Sequence, residues 1–203
     1  MKIAVFGATG PTGQQLVKLA LQKGHTVTVL ARTPEKLTMQ DKNLTVIKGN
    51  ALNYKDVEKV VKEQNAVLSA LGVKPPSREK VVGPAVKNII RAMKAHSVDR
   101  LIVESAFFMD EKVRKGIFVK LLNATFMKGL YEDKKEQNKA LFSSNLKWTE
   151  VRPTMLTNGP KGKYKADVKP GMFSKISRAN VADFMIKELV DGNFIGKAVI
   201  VTE

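Results

Sequence analysis

The sequence contains no cysteine and only two histidines, His25 and His96, among its 203 residues. Disulfide bonds, thiolate metal sites and a cysteine nucleophile are therefore excluded, as is a metal centre built from several imidazoles. Long apolar runs are also missing, since no stretch approaches the roughly 18 residues of a membrane-spanning helix. The chain enters a strand-like run at its first residues, with no signal peptide ahead of it. We therefore predict a cytoplasmic domain with no metal and no membrane contact.

Acidic residues are scarce: 19 Asp and Glu stand against 35 Lys and Arg, which gives a net charge of +16. A protein this basic can bind nucleic acid, an anionic surface or a phosphorylated small molecule. The lysines are spread over almost every segment, without zinc-finger spacing, a heptad series or an aromatic RNA-binding signature. We interpret the charge as a solvated surface and do not expect a nucleic-acid partner.

Short apolar runs alternate with helical patterns along the chain, which is typical of parallel β-α-β units. A helical stripe follows Gly13, and the other predicted elements are strands at residues 3–6, 26–30, 44–47, 66–71, 101–103, 148–151 and 198–201 and helices at residues 56–62, 82–96, 112–143 and 181–190. Residues 157–175 read as loop or short irregular strands. We expect one α/β domain over 1–203, a doubly wound parallel sheet of the NAD(P)-binding Rossmann type. About 153–203 would form a small, loop-rich C-terminal part on the substrate side.

A glycine-rich segment, GATGPTG at residues 7–13, lies directly after the first predicted strand and directly before a helix. Glycines there permit a tight turn, close backbone approach to a pyrophosphate and close packing of helix on strand. The amides at the start of the helix then face the anion, helped by the helix dipole. We predict that this phosphate loop binds a dinucleotide through Gly7, Thr9, Gly10, Pro11, Thr12 and Gly13.

The end of the second predicted strand indicates which dinucleotide is bound. NAD-binding domains usually carry Asp or Glu there, to accept from the ribose 2′-hydroxyl. This chain has Arg32 instead, whose planar donor fork suits a 2′-phosphate, and Lys36 adds a second positive charge. The sequence therefore predicts NADP(H) as the cofactor, with NADPH preferred over NADH.

These motifs resemble the atypical short-chain dehydrogenase/reductase group, and within it the flavin reductase/biliverdin-IXβ reductase family of NmrA-like, NAD(P)H-binding proteins. The resemblance runs from end to end of the chain and implies a cytoplasmic, often monomeric NAD(P)H-dependent reductase. The similar segments are FGATGPTG at 6–13, VTVLAR at 27–32, AMKAHSVD at 92–99, SAF at 105–107 and LKW at 146–148, with 152–153 and 176–179 similar to the broader group.

The resemblance also implies further site residues. Asn50 and Ala51 would lie near the adenine, although the family usually has Asp at the first position. Ala70, Leu71 and Gly72 would pass behind the ribose, and Ser105 and Pro153 would flank the nicotinamide. An apolar substrate pocket would contain Phe107, Phe108, Thr154 and Met155; the flavin and biliverdin reductases carry His at the position of Thr154. Lys161, Lys163 and Tyr164 could attract an anionic substrate.

Ser105, Tyr131 and Lys135 match the Ser and Tyr-x-x-x-Lys residues of the wider dehydrogenase superfamily. In such a site, the tyrosine is the acid/base, the lysine lowers its pKa and the serine orients a carbonyl oxygen. Lys134 fits the position of the lysine as well as Lys135 does, and the surrounding residues are charged. A hydride transfer to a flavin needs less, because the protein only has to orient the two rings.

We therefore expect an NADPH-dependent oxidoreductase that reduces a flavin, a quinone or a similar conjugated acceptor such as a tetrapyrrole, acting as a monomer or weak homodimer. Two alternatives remain. The chain could be a non-catalytic NADP(H) sensor, or a carbonyl reductase or epimerase that uses Ser105, Tyr131 and Lys135.

Overall fold

A computed structural model of the protein describes residues 1–73, 79–110, 113, 128–171 and 174–203. In this part of the chain, the helices are α1 (Pro11–Gln22), α2 (Tyr54–Val61), α3 (Val82–Ala95), α4 (Lys128–Phe142) and α5 (Arg178–Asp191). The strands are β1 (Lys2–Phe6), β2 (Thr26–Ala31), β3 (Leu44–Lys48), β4 (Ala66–Ser69), β5 (Arg100–Glu104), β6 (Lys147–Pro153), β7 (Met155–Thr157), β8 (Lys165–Ala166), β9 (Lys175–Ser177) and β10 (Lys197–Thr202).

Eight of these strands form one sheet in the order β3-β2-β1-β4-β5-β6-β10-β8. All neighbours are parallel except β8, which runs antiparallel to β10 at the edge. The strand order reverses between β1 and β4, the place where doubly wound sheets bind dinucleotides. The predicted fold class is therefore confirmed.

Helices cover both faces of the sheet, which explains why its central strands are apolar on both sides. Along β1, Ile3 and Val5 belong to the core that includes residues of α1 and α5, whereas Ala4 and Phe6 belong to the core with α2 and α3. The sheet thus separates two hydrophobic cores, and the ends of its strands form a common edge between the helix layers.

The C-terminal part departs from the regular pattern, as its glycines and prolines predicted. β7 and β9 form a separate two-stranded parallel sheet, and β8 contributes only two residues. Of the helix predicted at residues 112–143, the structure describes Lys128–Phe142 as helical, and most of the remainder lies outside the described residues. No helix in the described ranges is both long and apolar enough to cross a membrane.

Candidate cofactor and substrate site

The phosphate loop connects β1 to α1 at the switch point of the sheet. Gly7 has a φ of +79°, a conformation that glycine adopts without strain. The Gly10 amide donates to the Gly7 carbonyl oxygen at 2.9 Å and closes the turn. Gly10 then caps α1, Pro11 is its first residue, and neither a side-chain cap nor an acidic residue occupies the first turn. The amides and the positive end of α1 are therefore available to an anion.

Two of the glycines are required by close backbone contacts. A Cβ atom on Gly13 would lie 2.0 Å from the Gly7 carbonyl oxygen, and one on Gly7 would lie 2.5 Å from the Ala70 carbonyl oxygen. Any side chain at these positions would push α1 and the loop away from the ends of β1 and β4. The tight cradle fits a pyrophosphate, which needs the backbone to approach closely. Thr9 belongs to the same turn, where its carbonyl oxygen accepts from Gln14 Nε2 at 3.2 Å.

Arg32 directly follows β2, and Lys36 ends the short 3₁₀ helix Pro34–Lys36. Both side chains are exposed, and neither has a hydrogen-bond or ion-pair partner in the described part of the chain. The only carboxylate of this turn is the exposed Glu35. The two cations at the end of β2 are therefore free to bind an external anion.

The turn at Asn50 uses the side-chain oxygen of that residue internally. Its Oδ1 accepts from the Leu52 amide at 3.0 Å, and its backbone amide donates to Asp56 Oδ2 at 3.0 Å. The Ala51 carbonyl oxygen accepts from Asn88 at 3.0 Å, which holds the turn against α3. Asn50 is exposed, and its Nδ2 group has no hydrogen-bond partner among the described residues.

The segment after β4 passes beside the phosphate loop. The Ala70 amide donates to the Phe6 carbonyl oxygen at 2.9 Å, and the Leu71 carbonyl oxygen accepts from Lys134 at 3.3 Å. Gly72 is exposed, with open space where a Cβ would lie. These residues therefore link the loop to α4.

Ser105 directly follows β5, beside the end of β6. Its amide donates to the Val151 carbonyl oxygen at 2.7 Å, so the backbone there is fixed. Its hydroxyl oxygen is buried and has no hydrogen-bond partner among the described residues. Because buried hydroxyls are almost always paired, this oxygen is suited to bonding a ligand. Pro153 ends β6 and is also buried.

The structure brings Lys134, and not Lys135, to this edge of the sheet. Lys134 is buried, and its Nζ donates to the Glu104 carbonyl oxygen at 2.8 Å and to Gln137 Oε1 at 3.1 Å, in addition to Leu71. Lys135 is exposed on the outer side of α4, because consecutive helical residues point in different directions. Tyr131 is half-buried on the same helix. The predicted Ser105–Tyr131–Lys135 group is thus not assembled with Lys135.

Glu104 joins Lys134 in a buried polar cluster that the sequence analysis missed. Its Oε1 accepts from the Thr12 hydroxyl at 3.2 Å, so it contacts the first turn of α1. Burial raises the pKa of Glu104, although Lys134 opposes the rise; burial likewise lowers the pKa of Lys134, opposed by Glu104 and Glu150. The sequence did contain one signal for this cluster, because the charged Glu104 directly follows the apolar run at residues 101–103.

Arg152 forms a second buried group at the end of β6. It donates to Glu150 Oε2 at 2.8 and 3.1 Å and to Asp110 Oδ2 at 3.1 Å. Glu150 is fully buried, and its other carboxylate oxygen has no partner in the described ranges. The guanidinium thus ties β6 to the segment that follows the 3₁₀ helix Phe107–Met109.

The predicted substrate residues have different surroundings. Phe107 and Phe108 make an edge-to-face contact with ring centroids 6.0 Å apart, Phe108 being buried and Phe107 half-buried. Met155 is exposed. The Thr154 hydroxyl points instead to β10, where Thr202 Oγ1 lies 3.2 Å away and the Val201 carbonyl oxygen 3.5 Å away. Thr154 therefore has an internal role in joining the C-terminal part to the sheet.

The loop after β7 is fastened to α5 by Asp183. This buried carboxylate accepts from Lys161 at 3.1 Å, from the Tyr164 hydroxyl at 2.9 Å and from Lys187. Burial, followed by the bond to Asp183, raises the pKa of Tyr164 to about 12. Lys161 and Tyr164 thus have partners inside the protein, whereas Lys163 is exposed.

Comparison with known proteins agrees with this geometry. A protein of Arabidopsis thaliana described as uncharacterized and chloroplastic is 25% identical over 206 residues, covering 93% of this chain and 72% of its own length. Cinnamoyl-CoA reductase 1 of Petunia hybrida is 30% identical over 122 residues, covering 53% of this chain but only 37% of the longer protein.

Among solved structures, a short-chain dehydrogenase/reductase of Veillonella parvula in complex with NADP superposes with a TM-score of 0.84. It is 21% identical and covers 100% of this chain and 94% of its own. The family model described as NAD(P)H-binding matches residues 7–191. With its Rossmann-type sheet and glycine cradle, the chain belongs to the NAD(P)H-binding family whose model it matches.

Proposed function

We propose that the protein is an NADPH-dependent reductase that transfers a hydride to a flavin, a quinone or a similar conjugated acceptor. The observation that carries the cofactor preference is the pair of exposed, unpartnered cations, Arg32 and Lys36, at the end of β2. A guanidinium can bind a 2′-phosphate through two hydrogen bonds, whereas a free 2′-hydroxyl offers no charge to it.

The chain contributes binding and orientation. The backbone amides of Thr12 and Gly13 would hold the pyrophosphate, because Pro11 has no N–H and the Gly10 amide already donates to the Gly7 carbonyl oxygen. The Nδ2 group of Asn50 would donate near the adenine. Lys134 fixes the carbonyls of Leu71 and Glu104, which keeps the ends of β4 and β5 in one geometry. The ends of β4 and β5 would hold a reduced nicotinamide, which would supply the hydride.

The acceptor would lie on the side of Ser105 that faces away from the ends of β4 and β5. The Ser105 hydroxyl has no described partner and would donate to a carbonyl oxygen of the acceptor. Phe107 and Met155 would provide partly exposed apolar surface against a flat ring system. The exposed Lys135 argues against the carbonyl reductase alternative in its predicted form. A relative named as a reductase and a structural neighbour that binds NADP support the proposal.

The first test is a titration of NADPH and NADH with the Arg32→Ala/Lys36→Ala variant. Loss of two charges facing a phosphate should raise the Kd of NADPH about 10- to 100-fold and that of NADH less than about twofold. Lys23→Ala/Lys42→Ala is the matched control, because it also removes two charges. Both lysines are exposed, Lys23 at the C-terminal end of α1 and Lys42 just before β3, near the start of β2. Equal losses for both dinucleotides would contradict the 2′-phosphate assignment.

The second test is NADPH oxidation with FMN, riboflavin, a quinone and biliverdin as acceptors. We expect turnover with at least one of the flavins or the quinone, and a lower rate for Ser105→Ala at unchanged NADPH affinity. Tight NADPH binding without turnover of any acceptor would instead favour the NADP(H)-sensing alternative.

A further inference from the structure

A cationic groove runs between α3 and α4 on the outer face of the molecule. It is a shallow, open groove of about 480 Å³, and its lining includes four basic residues on two walls: Lys87, Arg91 and Lys94 on α3, and Lys139 on α4. All four side chains are exposed. Neither the proposed cofactor site nor the proposed substrate site uses them, so this part of the +16 charge needs another explanation.

The two helices that form the groove are joined at one end. Asp133 of α4 accepts from the amides of Val82 at 2.8 Å and Gly83 at 2.7 Å, and so caps α3. A Cβ on Gly83 would lie 2.7 Å from the Glu136 Cβ, so the helices touch there. Farther along both helices, Ile90 and Ala140 form an apolar floor between the basic walls. Ser143 and Ser144 complete the lining, and their hydroxyls bond the Lys139 carbonyl oxygen and the Leu146 amide.

The charge of the walls is only partly neutralised. The α3 sequence, residues 82–95, contains no Asp or Glu. Glu136 of α4 pairs with Lys87 and, at 3.9 Å, with Lys80, so one carboxylate serves two lysines. Arg91 lies over the Tyr54 ring at 4.0 Å, which leaves its charge in place. Lys94 and Lys139 make no ion pair in the described part of the chain.

We propose that this groove binds an acidic amphipathic helix of a partner protein. Lys87, Arg91 and Lys94 recur at intervals of four and three residues, the spacing at which Glu or Asp of a facing helix would repeat. The apolar floor would take a leucine-like side chain between those carboxylates. Nucleic acid fits less well, because phosphates gain nothing from Ile90 and Ala140 and no aromatic ring lines the groove for a base. A second copy of this chain would bring like charges together.

The test uses fluorescence anisotropy with the full-length protein and a labelled peptide of about 18 residues, long enough to be helical, with Glu flanking a leucine stripe. The groove variant is Lys94→Glu/Lys139→Glu, one change on each wall. The matched control is Lys23→Glu/Lys42→Glu, two exposed lysines far from the groove with the same change in net charge. We expect the groove variant to bind the peptide at least about tenfold more weakly and the control less than about twofold. NADPH binding should be the same in all three proteins, which shows that each is folded.

Two further probes make the result decisive. A peptide of the same composition, scrambled so that Glu and Leu no longer share a face, should bind about tenfold more weakly than the amphipathic one. Equal binding of both peptides, equal losses in the groove and control variants, or no binding at all would overturn the proposal. Tighter binding of a DNA duplex of about 20 base pairs through Lys94 and Lys139 would overturn it in favour of a nucleic-acid surface.

Discussion

At the phosphate loop, seven consecutive residues build the candidate cofactor site mainly from backbone. Its glycines bring β1, β4 and α1 into contact, and the first turn of α1 has no side-chain cap. At the ends of β5 and β6, the site is built from buried side chains such as Glu104, Lys134 and Arg152, which are distant in sequence. The phosphate loop depends on close approach of its backbone to neighbouring strands and to a ligand. The ends of β5 and β6 depend on buried charges that are paired with one another. Substitutions should therefore act on them differently, with lost cofactor affinity in the first and lost stability in the second.

The largest effect is expected for Gly13→Ala. Its Cβ would lie 2.0 Å from a backbone carbonyl oxygen, so the loop must open. NADPH affinity should fall roughly 1000-fold, since the backbone can no longer approach the pyrophosphate. Isothermal titration measures the loss, and Gly162→Ala is the control, because a Cβ there meets nothing within 4 Å. Retained affinity in Gly13→Ala would show that the loop does not hold the cofactor.

Lys134→Met tests the buried cluster against its exposed neighbour. The change leaves Gln137 Oε1 and the Glu104 carbonyl oxygen without their donor and removes the cation beside Glu104. We expect the free energy of unfolding to fall by about 3 kcal/mol. Lys135→Met, at an exposed position, should change it by less than about 0.5 kcal/mol. Urea denaturation measures both, and equal effects would contradict the assignment of Lys134 to the cluster.

A smaller effect is expected at the loop that the sequence linked to substrate. Tyr164→Phe removes one of three donors to Asp183 and should cost about 1 kcal/mol of stability. The pKa of Tyr164 is raised in the folded state to about 12 from an ordinary 10.0, so its contribution is complete below pH 10 and is lost as the pH rises toward 12. The stability difference between wild type and variant should shrink over that range.

The same variant separates a structural role from substrate binding. If Tyr164 only fastens the loop to α5, the KM for FMN should not change in Tyr164→Phe. A several-fold rise in KM, with little loss of stability, would instead show that Tyr164 contributes to substrate binding. The effects of buried side chains would then not be limited to stability.

The sequence predicted most strands of the sheet to within a residue or two at each end, because a strand covered on both faces must be a continuous apolar run. It also predicted the phosphate loop, whose chemistry lies in consecutive residues. The predicted β4 was two residues too long at its C-terminal end. Ala70 and Leu71 are apolar, but they leave the hydrogen-bonded sheet and pass beside the phosphate loop. The buried charges were missed because a charged residue reads as surface unless its partners are known, and Lys134 and Gln137 come from another element.

By itself, the sequence determined the doubly wound fold, the glycine cradle and the basic end of β2, since these follow from local periodicity and from contiguous residues. Only the tertiary structure decided which of two adjacent lysines reaches the ends of β4 and β5. Tyr-x-x-x-Lys spacing places Lys135 one helical turn after Tyr131, but the packing of α4 turns Lys134 toward the sheet. The packing of the loop after β7 against α5 likewise pairs Lys161 and Tyr164 with Asp183, because a buried carboxylate must be paired.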